Sequence, residues 1–286
     1  MSKLASLDAA LESLVRPGSS VHLTTQARAA TRAIQRVFRG RDLGLTLIIG
    51  RVGGGHAADL LASGLIRRVI AGSYGAVSRH YTGRLPQVQK MYESGTVSFQ
   101  HWTFHSLTQR LIAAAQGLPF ALTHSLAGST MAAENTEDFV RVPDPFGSGR
   151  TVNLLKALHP EVAILHAVAA DEEGNAILLP PMEDGAWGAK ASSRGVLVTA
   201  EHIVSRDYVR RHAHLVALPA RYVSAVAHVP YGAHPGAFGS AILPDLRAYA
   251  EDEAFDQAYF AAARDADRLA RHDDRVAGRR GVVRTA

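Results

Sequence analysis

The 286-residue sequence contains no cysteine. Disulfides, thiolate metal sites and cysteine nucleophiles are therefore excluded. No apolar run approaches the roughly 18 residues that a membrane-spanning helix needs, so no membrane partner is expected. The opening Met1-Ser2-Lys3-Leu4 lacks the basic-then-apolar layout of an export signal, and a cytoplasmic location is expected. Also missing are a Gly-x-Ser-x-Gly elbow, a G-x-G-x-x-G fingerprint, a P-loop and a helical His-x-x-x-His pair with a suitable glutamate. Gly147-Ser148-Gly149 has the wrong spacing for the elbow. No metal site is expected.

The formal charge is +5. Much of the excess lies near the C-terminus, where Arg264, Arg268, Arg271, Arg275, Arg279, Arg280 and Arg284 are interleaved with Asp265, Asp267, Asp273 and Asp274. Alternating signs at helical spacing describe a solvated face or a contact between subunits. No recognition motif accompanies the charge, and nucleic acid is not an expected partner.

Periodicity supplies the fold class. Leu4, Leu7, Leu11 and Leu14 recur at helical spacing before Pro17-Gly18, and a second helix is predicted over 27–39. A short strand is predicted around 21–23. Leu45–Ile49, Arg68–Ala71 and Phe120–Thr123 read as fully buried strands, separated by helical stretches near 57–63, 85–92 and 106–116. Further strands are predicted at 161–167, 195–200 and 223–229, and a C-terminal helical extension at about 245–286. Such alternation implies an α/β protein with a mainly parallel sheet and helices on both faces. One domain over 1–286 is expected; with two, the boundary would fall near Pro143.

Three loops are candidate binding elements. Gly50-Arg51-Val52-Gly53-Gly54-Gly55-His56 runs from a strand into a helix, where backbone amides meet a phosphate or carboxylate, or where glycine simply allows positive φ. Gly72-Ser73-Tyr74-Gly75-Ala76-Val77-Ser78-Arg79 also follows a strand. There Ser73, Ser78 and the Arg79 fork suit a carboxylate, the alternative being a polar surface loop. The third, with Gly128 and Ser129, follows Leu118-Pro119-Phe120 and is either a close approach to ligand or a sharp turn. His22, His166, His228 and His234 lie near strand ends, and His234 is read as packing within its own turn. Glu183 is the least implausible catalytic acid, the alternative being a solvated loop acid.

The run Val223–Val229 closing on Tyr231-Gly232-Ala233-His234-Pro235, the strand Val162–Ala167 and the loop Ala170-Asp171-Glu172-Glu173-Gly174-Asn175 together resemble one family. It is the A (alpha) subunit of the heteromeric family I coenzyme A transferases, glutaconate CoA-transferase type. The similarity covers roughly 5–260 and is densest over 160–235. It implies the CoA-transferase fold and an acyl-CoA thioester as substrate, with no bound cofactor. It also implies substrate-binding roles for Gly53, Gly54, Gly55, Ser73, Ser78, Arg79, Gly128 and Ser129, and a B (beta) subunit whose glutamate is the nucleophile. No catalytic residue is expected in this chain.

The resemblance leaves two alternatives. One is a ring-opening acyl-CoA hydrolase subunit of the same fold; such subunits place a glutamate where this chain reads His101-Trp102-Thr103-Phe104-His105. The other is a non-catalytic partner subunit. One departure stands out: Leu23-Thr24-Thr25-Gln26-Ala27-Arg28 occupies the place of the family's glycine turn. Thr24, Thr25 and Arg28 are there either as ligand groups or as a helix cap.

Overall fold

The computed structural model describes residues 2–52, 56–77, 82–179 and 185–262. In chain order the first half comprises α1 (Leu7–Leu14), β1 (Ser20–Leu23), α2 (Arg28–Val37), β2 (Leu45–Ile49), α3 (His56–Ala62) and β3 (Ile66–Ala71). Then come β4 (Gly75–Val77), β5 (Thr82–Arg84), α4 (Pro86–Ser94), β6 (Ser98–His101), α5 (Phe104–Ala115), β7 (Phe120–Thr123) and α6 (Thr130–Glu134). The second half adds β8 (Phe139–Pro143), β9 (Thr151–Lys156), β10 (Val162–Ala170), β11 (Ala176–Ile177), α7 (Gly185–Ala191) and β12 (Gly195–Ile203). It ends with α8 (Arg206–Arg211), β13 (Val216–Leu218), β14 (Ala225–His228) and α9 (Glu253–Ala262).

The main sheet runs β14-β12-β10-β1-β2-β3-β6, every neighbouring pair parallel. β11 and β13 extend it antiparallel beside the far end of β10. The two-residue period of a strand explains how both faces are covered. Val21, Leu23, Leu45, Leu47, Ile49, Val162 and Ile164 share one cluster with residues of α1, α2 and α3. The intervening residues turn the other way: Ala163, Leu165, Val196 and Val198 pack with Ala189 of α7, and Ile48 and Ile70 pack with Leu107 of α5. Helix ends follow local chemistry. Ser6 caps α1 by accepting from the Ala9 amide, and Thr103 and Ser106 form a reciprocal capping box on α5.

Three expectations require correction. Phe120–Thr123 is not a fully buried strand of the main sheet. It joins a separate antiparallel sheet, β7-β9-β8, in which Leu122 is 65% exposed. Its inner row, Ala121, Leu155 and Phe139, packs inward, while the outer row Leu122–Leu154–Val140 lines up across the three strands. Pro143-Asp144-Pro145 marks no boundary but lies in the β8–β9 hairpin, whose strands pair up to Pro143↔Thr151. The C-terminal helix begins at Glu253 rather than 245, because the Tyr249 backbone is bridged to Phe238. Residues 263–286, with the arginine-rich segment, lie outside the described residues. Among the described residues no helix is long and apolar enough to cross a membrane.

Arg110 ties the small sheet to the body. It is buried on α5, pairs with Asp138 at 3.0 Å, donates from Nε to the Lys156 carbonyl and lies 4.3 Å over the Trp102 ring. Burial pulls its pKa down, against the opposing pull of Asp138.

Candidate functional site

From β1 the chain proceeds to β2, β3 and β6 on one side; from β10 it proceeds to β12 and β14 on the other. The direction of winding therefore reverses between β1 and β10, and the crevice at the carboxyl ends of those strands is where open parallel sheets take ligands. A small cavity of about 20 Å³ lies there, lined by Thr24, Gln26, Leu165, His166, Gly185 and Phe238, with Leu178 and Leu179. Thr24 is only 8% exposed, and its hydroxyl has no hydrogen-bond partner among the described residues. Neither Thr24 nor Thr25 caps α2. The cap position is Ala27, which makes no side-chain bond, and Thr25 donates to the Gln26 side chain. The departure from the family's glycine turn thus puts an unspent hydroxyl into the cavity wall.

Beside this cavity is a buried polar cluster that sequence reasoning did not single out. Glu201 of β12 is 6% exposed. Its Oε1 accepts from the Tyr249 hydroxyl at 2.6 Å and the Gly232 amide at 2.9 Å, and meets His166 Nε2 at 2.8 Å; Oε2 accepts from the Tyr231 amide at 2.6 Å. His166 Nδ1 lies 2.9 Å from the Thr199 hydroxyl. The strand register His166↔Thr199 makes this arrangement possible, since Thr199 and Glu201 share one face of β12. Burial alone would raise the Glu201 pKa. The bonds from His166 and Tyr249, the His166 charge and the Tyr231 amide outweigh it, and the carboxyl stays below its ordinary range. An acid in the otherwise apolar run Val196-Leu197-Val198-Thr199-Ala200-Glu201 was the available signal.

Glu201 also explains the Tyr231–Pro235 segment. Tyr231 holds a left-handed φ of 60°, costly for a side-chain-bearing residue, and its amide is spent on Glu201. Around the turn, Gly232 O accepts from the Ala29 amide, the Ala233 amide donates to the Tyr249 hydroxyl, and Arg32 donates to the His234 carbonyl. His234 Nε2 pairs with Asp252 at 3.1 Å, in keeping with a packing role. Burial lowers the pKa of both Arg28 and Arg32 beside this turn.

The loops after β2 and β3 lie together: the Val52 amide donates to Ser73 O, and the Gly72 amide to Gly50 O. Gly72 needs its missing side chain, since a Cβ would come within 2.7 Å of the Phe104 backbone. Ser73 is therefore at the carboxyl edge of the main sheet. Gly53, Gly54, Gly55, Ser78, Arg79 and Glu183 lie outside the described residues. Gly128 and Ser129 lie in the exposed loop after β7 of the small sheet, beside Leu126, which packs with Ile48, Ile70 and Trp102 near the carboxyl ends of β2, β3 and β6. Gly128 takes φ +78°, and Ser129 caps α6 by accepting from Ala132 N while donating to Leu126 O. Among the described residues no group of three or more His, Asp or Glu is arranged to hold a metal.

The family model for coenzyme A transferase matches residues 4–228. The chain belongs to the coenzyme A transferase family. The A-type chain of a 3-oxoadipate CoA-transferase from Pseudomonas knackmussii is 30% identical over 278 residues, covering 93% of this chain and 90% of that one. A protein from Archaeoglobus fulgidus is 32% identical over 210 residues, which span 73% of this chain but only 45% of that relative. Among solved structures, glutaconate coenzyme A-transferase from Acidaminococcus fermentans superposes with a TM-score of 0.80 at 24% identity, covering 96% of this chain and 88% of the other, and so shares its fold. A variant of the decarboxylase AibA/AibB gives 0.79 at 28% identity, covering 98% of this chain and all of the other.

Proposed function

We propose that this chain is the A (alpha) subunit of a two-chain CoA-transferase working in the cytoplasm as a single unit over 1–286. It forms one wall of a site for an acyl-CoA and a carboxylic acid, while a B subunit brings the glutamate. The observation that carries this reading is the state of the buried acids. Among the described residues these are Asp171 and Glu201, both near the carboxyl edge of the sheet. Asp171 Oδ1 accepts from the amides of Glu173, Gly174 and Asn175, and Oδ2 from the Asn175 side chain at 2.7 Å. Glu201 is engaged on both oxygens. An acid so committed is a clamp and not a nucleophile.

The partner's glutamate attacks the thioester carbonyl, expelling CoA thiolate and leaving a mixed anhydride. Thiolate attack on the glutamyl carbonyl releases the first acid and leaves a glutamyl-CoA thioester. An incoming carboxylate then repeats the two steps in reverse, taking up CoA and regenerating the glutamate. This chain contributes Thr24 at the β1–β10 crevice and Ser73, together with Gly53, Gly54, Gly55, Ser78 and Arg79. The thioester is substrate, and no resident cofactor is invoked. Gly128 and Ser129 border the site from the loop after β7, where Ser129 also caps α6. Two relatives are each named as one subunit of a CoA-transferase, the P. knackmussii protein and a glutaconate CoA-transferase chain from A. fermentans at 28% identity, and both support a heteromer. So does the outer row Leu122–Leu154–Val140, which suits a B-subunit contact.

The match to AibA/AibB favours decarboxylation on the same fold as the second reading. The deciding experiment purifies this chain alone, its B-type partner alone, and the co-expressed pair. CoA transfer between acyl-CoA and acid is followed by chromatography, and CO₂ release in parallel. Transfer by the pair and by neither chain alone is expected. Turnover by this chain alone overturns the two-chain reading, and CO₂ release with no CoA passed to the acceptor acid replaces transfer by decarboxylation.

A further inference from the structure

A second, larger cavity opens next to the switch-point crevice. It measures about 400 Å³ and is walled by Val168 at the end of β10, Ile177 of β11, Trp187 of α7, Val216 of β13 and Leu243. Leu178 and Leu179 line both cavities and form the wall between the large one and the one beside Thr24 and His166. The lining is mainly apolar, its polar members being Lys190, His214 and Ser240. The exception that matters is Lys190, one helical turn beyond Trp187, whose ammonium lies 5.1 Å from the indole centroid. Among the described residues that stacking is its one interaction.

An ammonium held over a tryptophan in the wall of a mainly apolar groove is a receptor for an anion carried on a hydrocarbon body. At about 30 Å³ per water-sized group, the groove has room for on the order of a dozen heavy atoms. We propose that this groove binds the acyl part of the thioester substrate, an apolar chain or branched body bearing a distal carboxylate that pairs with Lys190. The inference rests on the proposed function for the identity of the substrate. The site itself follows from the cavity, its position beside the crevice and the charge of Lys190. Short diacids would leave most of the groove empty, so medium-length apolar acids are the fitting class.

Trp187 supplies a direct readout that needs no turnover. The other tryptophan, Trp102, is 1% exposed in the core and is replaced by phenylalanine to silence it. Full-length Trp102→Phe chain is titrated with octanoate, 1-octanol and acetate while Trp187 emission is followed. Octanoate is expected to saturate, acetate to have no effect, and octanol to bind more weakly. Lys190→Met should weaken octanoate by roughly tenfold or more, the size expected for losing a charged hydrogen bond, and leave octanol unchanged; Lys190→Arg should restore octanoate. Equal responses to acetate and octanoate, or an unchanged octanoate affinity in Lys190→Met, overturn the proposal.

The assembled enzyme then separates this inference from the reading beneath it. With suberyl-CoA against octanoyl-CoA as donors, Lys190→Met should raise KM for the carboxylate-bearing thioester alone. Saturable octanoate binding without CoA transfer would leave the site standing and remove the transferase reading. Transfer without that binding, or without that shift in KM, would do the reverse.

Discussion

The backbone of Gly232 passes directly against the imidazole of His166, and a Cβ added there would lie 2.8 Å from both ring nitrogens. The glycine of the Tyr-Gly-Ala-His-Pro segment is thus required by a side chain on another strand. Gly232→Ala should force the ring away from Glu201 and Thr199, at about 1–3 kcal/mol for overpacking. Thermal unfolding of the purified chain is the check. An unchanged midpoint would mean the ring has space to retreat.

Glu201→Gln should cost more, about 3–5 kcal/mol, because an amide cannot accept from the Tyr231 and Gly232 backbones with both terminal atoms. The acid dependence has a definite sign. The folded pKa lies below the unfolded value of about 4.3, so the stabilisation is complete above that pH and is lost as pH falls through the folded value. Wild-type chain should therefore lose stability below about pH 4.3 more steeply than Glu201→Gln. Parallel slopes in denaturant titrations across that window would contradict the assignment.

Thr24→Val removes a buried hydroxyl without changing shape. In the free chain this should raise stability by about 1 kcal/mol, since the oxygen has no partner. In the assembled enzyme the same change should lower kcat/KM several-fold if the hydroxyl meets substrate. A stabilised variant with unaltered kinetics would assign Thr24 to the wall and remove it from the binding groups.

Leu122→Asp places a charge at the β7 end of the outer row Leu122–Leu154–Val140. Leu122 is exposed, so the isolated chain should keep its unfolding midpoint. Binding of the B subunit should weaken by about tenfold or more, as for a buried apolar interface anchor. Light scattering of the co-purified pair measures this, and undiminished association would place the partner on another face.

Much of the main sheet was legible along the chain. Leu45–Ile49 and Val162–Ala167 are apolar at nearly every position, which only a strand covered on both faces tolerates, and the helices around 27–39, 85–92 and 106–116 followed from their apolar spacing and stops. Phe120–Thr123 has the same apolar composition but a different neighbour. It pairs with β9, which is reached through a hairpin that reads as a proline-rich break. Composition reports that a strand will form, not which strand lies beside it.

The Tyr231–Pro235 segment was equally visible as a motif and equally silent about its purpose. Its amides end on Glu201, thirty residues back in sequence, and Glu201 in turn meets a histidine from a third element. The amino-acid order determined by itself the alternation of strands and helices, the family and the absence of cysteine chemistry, because periodicity and residue type are local properties. The tertiary structure alone decided that Glu201 is a clamp, that Thr24 faces a crevice and that Lys190 lines a mainly apolar groove. Each of those depends on which buried polar atoms find partners across the sheet, and a partner is a matter of distance in space, to which separation along the chain is no guide.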